Sequence, residues 1–272
     1  MDKRIIPSSQ EQIPVIGLGT YKSFDVGSSS RERASLEEVL RVLSINEKSM
    51  IDSSPMYGRS EGVVGDLAEK AALRKKLFLA TKVWTSGKEA GIAQMNKSFQ
   101  LMKTEVMDLM QIHNLVDWKT HLPTLRKWKE QGKIRYTGIT HYTSGAYAQV
   151  EQVMKQEQFD FLQINYSMAK REAEERLLPM AADKGMAVIV NMPFDSGSLF
   201  SLARNKSLPD FAKEFDCHSW AQYFLKFILS NQTITCVIPA TSNPAHLQDF
   251  LAAGSGKLPD GAMRKRMLEY LK

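Results

Sequence analysis

Four titratable side chains stand at or just after the ends of three short apolar runs. They are Asp52 after "MI", Tyr57 five residues later, Lys82 at the end of "LFLATK" and His113 at the end of "MDLMQIH". A phenol has a reference pKa of about 10, and we expect this pKa to be lowered in a phenol that acts as an acid at neutral pH. A nearby ammonium would stabilise the phenolate, and a carboxylate would keep that ammonium charged. With an imidazole to orient a carbonyl oxygen or share its proton, the four could form an acid site.

Each of these side chains also has an ordinary structural interpretation. An Asp before a helix is usually a cap, and a Tyr in a loop usually packs as an apolar plate. A Lys or His at a strand end is usually solvated or hydrogen-bonded. The catalytic interpretation therefore depends on a fold that brings the three strand ends together.

Eight short β-rich runs recur along the chain. They end near Thr20, Asp52, Lys82, His113, Thr140, Asn165, Val190 and Ile238. From Asp52 onward the successive ends are 25 to 48 residues apart, which leaves room each time for a helix and two short loops. The runs are apolar on both faces, as in a parallel sheet that helices cover.

The segments between the runs carry the helical period. Apolar residues repeat at helical spacing in three of them: Leu36, Val39, Leu40 and Leu43; Ile92, Met95, Phe99 and Met102; Trp220, Tyr223, Phe224, Phe227 and Ile228. We read the aromatic stripe as the core face of a helix. Eight strands alternating with helices predict an α/β fold, a (β/α)8 TIM barrel, as a single domain over residues 1–272. The alternative is an open doubly wound sheet, but "GLGTYK" lacks the third glycine of the dinucleotide fingerprint.

The two ends of the chain fall outside the repeating pattern. A short N-terminal segment precedes the first barrel strand, and the tail is expected to form a short helix with four apolar residues inward. These are Met263, Met267, Leu268 and Leu271. Residues 195–210, "DSGSLFSLARNKSLPD", look like a loop, and a long loop in a compact domain is usually functional. The alternative is a disordered surface insertion.

Composition and charge narrow the classes of partner. The chain is 43% hydrophobic and 24% charged, and it has no apolar run of the roughly 18 residues that a membrane helix needs. The net charge is +6, but Lys and Arg are scattered, which favours a small anionic ligand over nucleic acid. Cys217 and Cys236 lack metal-ligand spacing, so we predict no metal site and two ordinary buried cysteines. We expect no nucleic-acid or membrane partner, and a monomer or weak oligomer.

The N-terminal sequence "MDKRIIPSSQ" has no apolar centre of a signal peptide. It predicts a cytoplasmic protein. The other interpretation, the mature form of an exported periplasmic precursor, stays open.

The sequence resembles the aldo/keto reductase family over nearly its whole length. The motifs that carry the resemblance are "IPVIGLGTYKS", Asp52 with the "SSPMYG" that follows it, "LATKVW", "DLMQIHN", "WKEQGKIRYTGIT", "LQINYS" and "CVIPATSNPAHLQDFLAAG". The family's Asp, Tyr, Lys and His tetrad falls on the four residues described first. The resemblance implies hydride transfer from a reduced nicotinamide to a carbonyl carbon, with Tyr57 as general acid and no metal.

The resemblance also implies a cofactor site, in which several family residues are replaced. The candidate cofactor-binding residues are Thr20, Lys22, Thr140, His141, Gln163, Asn191, Phe194, Thr241, Ser242, Asn243 and His246. Thr140 and His141 replace a Ser-Asn pair that holds the carboxamide, and Asn191 replaces a stacking aromatic. The 195–210 segment, with Arg204 and Lys206, would cover the pyrophosphate.

The cofactor expected from the resemblance is NADP(H), with NAD(H) possible. Ala240, His246 and Phe250 stand where several members carry Lys, Arg and Asn around the 2′-phosphate. In place of those family side chains, the helix N-terminus at Thr241 to Asn243 could hold a phosphate by hydrogen bonds and by the helix dipole.

The expected substrate is a small carbonyl compound. Tyr21, Trp84 and Asn114 are the predicted pocket walls, and the short tail predicts an open pocket of broad specificity. Two other functions stay open: a regulatory module of the same fold that holds the cofactor with little turnover, and a non-redox barrel enzyme for a phosphorylated metabolite.

Overall fold

A computed structural model describes all 272 residues and contains a barrel of eight parallel strands. The barrel strands are β3 (Leu18–Gly19), β4 (Ser49–Asp52), β5 (Leu77–Val83), β6 (Met107–His113), β7 (Ile134–Thr140), β8 (Phe161–Asn165), β9 (Ala187–Asn191) and β10 (Ile234–Val237). Each strand pairs with the next one along the chain, and bridges from Ile16 to Val237 and from Gly19 to Ala240 join the first strand to the last. This closure confirms the predicted (β/α)8 barrel and excludes the open sheet.

Helices follow the barrel strands and cover their outer faces. They are α1 (Ser30–Leu43), α2 (Ser60–Lys70), α3 (Lys88–Leu101), α4 (Trp118–Glu130), α5 (Tyr147–Gln156), α6 (Leu177–Asp183), α7 (Ser198–Ala203), α8 (Trp220–Leu229), α9 (Pro244–Ala252) and α10 (Gly261–Leu271). The three predicted apolar stripes lie on α1, α3 with its cap, and α8. All of α8 from Ala221 to Leu229 is buried. No helix has the length and apolarity needed to cross a membrane.

The barrel interior changes from apolar to polar along the strands. Met50, Phe78 and Leu109 belong to a buried cluster inside the barrel. Because side chains alternate between faces, Asp52 and Lys82 point to the same inner face further along their strands. Apolar side chains therefore fill the barrel towards the amino ends of the strands. Polar side chains lie at the carboxyl ends, where the active sites of such barrels form.

A hairpin closes the other end of the barrel. Strands β1 (Lys3–Ile5) and β2 (Gln12–Pro14) pair antiparallel, and Ile6 and Ile13 join the interior cluster. This hairpin accounts for the segment that precedes the first barrel strand.

The segment 195–210 was predicted as a loop, and this prediction is wrong for most of it. It contains a 3-10 turn at Asp195–Gly197 and helix α7, and another 3-10 segment, Asp210–Phe215, follows. The physical reason is that Leu199, Ala203 and Phe211 bury their side chains in a cluster with α8. Helix α10 packs on the same cluster, with Met267 fully buried and Met263, Leu268 and Leu271 partly buried.

Candidate active site

A buried ion pair lies at the centre of the barrel mouth. Lys82 Nζ donates to Asp52 Oδ2 at 2.6 Å and to the carbonyl oxygen of Ser53 at 2.7 Å. The side chains are 0% and 3% exposed, respectively. Asp52 Oδ1 also accepts from the amide nitrogens of Gln111 and Gln163, at 3.1 and 3.0 Å. The carboxylate is therefore satisfied on both oxygens, as a buried charge must be.

Tyr57 stands beside this pair. Lys82 Nζ lies 5.0 Å from the centroid of the Tyr57 ring, while its hydrogen bonds go to Asp52 and Ser53. Burial raises the pKa of Tyr57, and the positive charge of Lys82 lowers it only in part, so the pKa is above its ordinary value. The predicted lowering of the Tyr57 pKa is therefore wrong. The reason is that desolvation of the phenolate outweighs the nearby ammonium.

The charge on Lys82 is maintained although the side chain is buried. Burial acts to lower the pKa of Lys82, but the negative charge of Asp52 and the interaction with Tyr57 more than offset it. The pKa is consequently raised above its ordinary value. Lys82 thus provides a fixed positive charge next to the phenol at neutral pH.

The turn after β4 places Tyr57 over the ion pair. The backbone N–H of Tyr57 donates to the carbonyl of Ser54 at 2.9 Å, and Gly58 follows with φ of 60°. A Cβ on Gly58 would lie 2.4 Å from the carboxylate of Asp25, which accepts from the Arg59 N–H. Glycine is favoured here, because the positive φ strains other residues and a side chain would displace the Asp25 carboxylate.

His113 ends β6 with its ring against Tyr57 and Trp84. The ring centroids are 5.9 and 6.3 Å away. Burial lowers the pKa of His113 to about 2, and the charge of Lys82 acts in the same direction. Its Nδ1 lies 3.0 Å from the hydroxyl oxygen of Ser54. The imidazole is thus neutral at physiological pH and can donate from one nitrogen only.

A cleft of about 1110 Å³ extends from this tetrad across the carboxyl end of the barrel. Among the predicted site residues it is lined by Thr20, Tyr21, Lys22, Asp52, Tyr57, Trp84, His113, Asn114, Thr140, Gln163, Asn191, Phe194, Thr241 and His246. Lys82 lies beneath it. Three predicted cofactor residues, His141, Ser242 and Asn243, do not line the cleft.

On the side of the cleft where the nicotinamide is predicted, some polar groups are hydrogen-bonded within the protein and others are free. Gln163 accepts from the Thr140 hydroxyl at 3.0 Å and donates to Asp52, which leaves one N–H and one lone pair of its amide. His141 Nδ1 accepts from the backbone N–H groups of Tyr142 and Thr143, so its ring is turned to its own loop. Asn191 donates to the His141 carbonyl at 3.3 Å, and its Oδ1 is buried without a partner.

The far end of the cleft carries little positive charge. It is lined by Ala240, Thr241, His246, Asp249 and Phe250, and Lys22 is the only Lys or Arg that lines the cleft. The Asp249 carboxylate is held by the side chains of Ser219 and Gln222. Asn243 caps α9 by accepting from the Ala245 N–H, which uses part of the helix N-terminus.

The segment predicted to cover the pyrophosphate contributes less charge than expected. Ser196 and Gly197 line the cleft, but Arg204 does not. Lys206 Nζ donates to the carbonyl of Tyr270 at 2.7 Å, and so fixes helix α10 instead. Phe194 packs near Phe200 and Phe250, with centroids 4.9 and 5.3 Å away.

The predicted pocket walls form an open rim. Tyr21 and Trp84 are 51% and 41% exposed, and Tyr142, which was not predicted, is 52% exposed. The Asn114 amide has no hydrogen bond within the protein, and its Oδ1 is buried. The mouth of the cleft is therefore surrounded by exposed aromatic side chains, next to the Asn114 amide that makes no hydrogen bond within the protein.

Two polar residues at the tetrad were missed from the sequence. Gln111 precedes His113 by two residues on β6, so strand alternation alone puts it on the same inner face. Ser54 lies inside the "SSPMYG" motif. Serine is common in turns, so only its three-dimensional contact with His113 distinguishes it.

A closed barrel with a buried Asp-Lys pair, a tyrosine and a neutral histidine beside a long cleft defines a barrel enzyme suited to carbonyl chemistry. The sequence matches the model of the Aldo/keto reductase family over residues 15–265. The chain therefore belongs to the aldo/keto reductase family, and is by class an NAD(P)H-dependent oxidoreductase.

Individual relatives are distant but cover most of the chain. A 9,11-endoperoxide prostaglandin H2 reductase of Trypanosoma cruzi is 24% identical over 264 residues, 93% of this chain and 87% of the relative. A glyoxal reductase of Bacillus subtilis is 24% identical over 228 residues, 82% of this chain and 78% of the relative. The crystal structure of an aldo/keto reductase from Klebsiella pneumoniae in complex with NADP and acetate has a TM-score of 0.79 at 20% identity, covering 99% and 95% of the two chains. This likeness confirms the fold.

Proposed function

We propose that the protein reduces small aldehydes and ketones with NADPH, and that Tyr57 is the general acid. The observation that carries the proposal is the buried Lys82–Asp52 pair, 2.6 Å apart, directly beside Tyr57 at the mouth of the cleft. Asp52 compensates the charge of this buried ammonium, and the raised pKa of Lys82 keeps it protonated. Here it lies where a phenolate would form.

Tyr57 can act as an acid although its pKa is raised. At neutral pH the phenol is fully protonated, and an alkoxide formed from a carbonyl is far more basic than a phenolate. Proton transfer from Tyr57 Oη to that alkoxide is therefore downhill. The charge of Lys82 stabilises the phenolate left behind, and Asp52 keeps Lys82 in place.

His113 supports the same oxygen as a neutral donor. Because its pKa is about 2, it stays unprotonated and does not compete with Tyr57 as the acid. Its role is to orient the carbonyl oxygen by one N–H and to share in stabilising the negative charge.

The cleft has polar groups suited to a nicotinamide dinucleotide. A reduced nicotinamide supplies the hydride when bound. Gln163 retains a free donor and acceptor, and Asn191 Oδ1 is a buried acceptor without a partner, so either could hold a carboxamide. Lys22 is placed to meet a phosphate. Thr20, Thr140 and Thr241 would line the cofactor, with Phe194 and His246 towards the adenosine.

We infer NADP(H) as the preferred cofactor and NAD(H) as a weaker alternative. The Klebsiella pneumoniae relative was crystallised with NADP, which supports this choice. The absence of Lys or Arg at Ala240 and His246 reduces the charge available for a 2′-phosphate. A modest preference for NADPH is therefore expected.

A small carbonyl compound fits the open rim formed by Tyr21, Trp84 and Asn114. The glyoxal reductase among the relatives makes glyoxal a suitable first substrate. The test is stopped-flow oxidation of bound NADPH on mixing with glyoxal. Rapid oxidation is the expected result. Tight NADPH binding without turnover would identify a regulatory module, and failure to bind any nicotinamide nucleotide would favour a non-redox enzyme.

A further inference from the structure

The hydroxyl of Ser54 has an unusually restricted set of partners. The side chain is fully buried, and Oγ contacts two polar atoms: Nδ1 of His113 at 3.0 Å and the backbone N–H of Met56 at 3.3 Å. The Met56 N–H can only donate. Ser54 Oγ therefore accepts one hydrogen bond from the chain and still has its own proton to place.

The placement of that proton determines the tautomer of His113. A buried hydroxyl proton without an acceptor is destabilising, and the only acceptor within reach is His113 Nδ1. If Nδ1 carried the ring proton instead, the Ser54 hydroxyl would be left without an acceptor. The arrangement that satisfies both Ser54 Oγ and His113 Nδ1 has Ser54 donating to Nδ1 and the imidazole proton on Nε2.

We propose that Ser54 is a positioning residue that fixes His113 as the Nε2–H tautomer, with its donor free for a substrate oxygen. Nε2 makes no hydrogen bond within the protein, and His113 lines the cleft. With Nδ1 occupied, the imidazole has one donor and it serves the ligand. The expected effect of Ser54 on the rate rests on the proposed carbonyl reduction. The assignment of the His113 tautomer does not depend on that function.

The same turn then positions every member of the tetrad. Asp52 and the Ser53 carbonyl hold Lys82, Ser54 holds His113, and the next residues lead to Tyr57. Three successive residues thus hold two members of the site, Lys82 and His113. One short segment of backbone therefore sets the positions of both Tyr57, the proposed acid, and His113, the orienting donor.

The tautomer can be measured directly by NMR of protein labelled with ¹⁵N in histidine. Long-range couplings between ring nitrogens and carbon-bound protons show which nitrogen carries the proton, and His113→Gln assigns the signals. We expect Nε2–H in the parent and a mixture of tautomers in Ser54→Ala. A proton on Nδ1 of the parent, or an unchanged Nε2–H signal in Ser54→Ala, would overturn the proposal.

Kinetics distinguish positioning from a merely structural role. Ser54→Ala should lower kcat/KM for glyoxal by roughly 10-fold, as for loss of one hydrogen bond, and leave the Kd for NADPH unchanged. Ser54→Thr, which keeps the hydroxyl, should recover the Nε2–H signal and most of the rate. The proposal would be contradicted if the rates of both variants changed only in proportion to their thermal stability and the NMR signal of His113 did not change. If the parent itself reduces no carbonyl, the proposed function fails while the NMR result still decides the tautomer.

Discussion

Replacing Lys82 with Met tests whether the buried ammonium serves catalysis. The change removes the charge and keeps much of the aliphatic stem. At an effective dielectric constant of about 20, two unit charges about 5 Å apart interact by roughly 3.3 kcal/mol, which corresponds to a rate change on the order of 10²-fold. The distance is that from Lys82 Nζ to the Tyr57 ring centroid, 5.0 Å. We therefore expect kcat/KM to fall by ~10² or more.

The same variant should lose stability, and this loss must be separated from the loss of rate. Breaking a buried ion pair leaves Asp52 as an uncompensated charge, at a cost of about 3–5 kcal/mol. The double variant Asp52→Asn with Lys82→Met removes both charges, and the new amide oxygen can still accept from Gln111 and Gln163. It should regain much of the stability and none of the activity.

The assay is kcat/KM for glyoxal reduction against pH, with folding followed by circular dichroism and urea unfolding. Reduction needs protonated Tyr57, so the rate falls as pH rises through the Tyr57 pKa, which lies above the ordinary value of 10.0. Without Lys82 the pKa rises further and the alkaline fall moves upward. Asp52→Asn alone should lower the rate more weakly, and the two losses of rate should be non-additive. Because the charge of Asp52 raises the Tyr57 pKa, this variant should not move the alkaline fall upward. A folded Lys82→Met protein within about threefold of the parental rate, with an unmoved alkaline fall, would refute the reasoning.

Two further predictions concern the cofactor and stability against acid. Ala240→Lys with His246→Arg should widen the preference for NADPH over NADH, by roughly 1.5–3 kcal/mol for each new contact to the 2′-phosphate; an NADH preference in the parent, from measured Kd values, would contradict the assignment. Because His113 has a pKa of about 2 when folded and 6.5 ordinarily, the unfolded chain binds more protons between these values. The free energy of unfolding should therefore fall with acidification below pH 6.5, by up to about 1.4 kcal/mol per pH unit from this group. In His113→Gln the free energy of unfolding, measured in urea, should fall less steeply between about pH 6 and pH 4. Equal slopes in the parent and the variant would exclude a buried neutral His113.

The sequence was most informative about the strand ends. Asp52, His113 and Thr140 end their strands as predicted, because apolar runs of strand length separated by helical repeats leave few alternatives. The loop prediction for residues 195–210 was wrong because most residues there are polar. The helix depends on Leu199 and Ala203, which are buried only by packing against α8. Local composition does not report such contacts.

The electrostatics of the site were the least predictable part. The sequence places an ammonium near a phenol, but the net direction of the Tyr57 pKa depends on how deeply the ring is buried. Likewise, the role of Ser54 depends on its contact with His113, which the sequence does not show, whereas strand alternation could have placed Gln111 on the inner face. Whether His141 turns toward the cleft or to its own loop is decided by the backbone N–H groups of Tyr142 and Thr143.

The most direct test of the account is single-turnover oxidation of bound NADPH by glyoxal in the parent and in Tyr57→Phe. The Phe side chain keeps the ring against His113 and lacks only the hydroxyl. The account predicts an unchanged Kd for NADPH and a rate lower by a factor of at least about 10², the low end for a lost general acid. A Tyr57→Phe protein that oxidises NADPH within about threefold of the parental rate would contradict it.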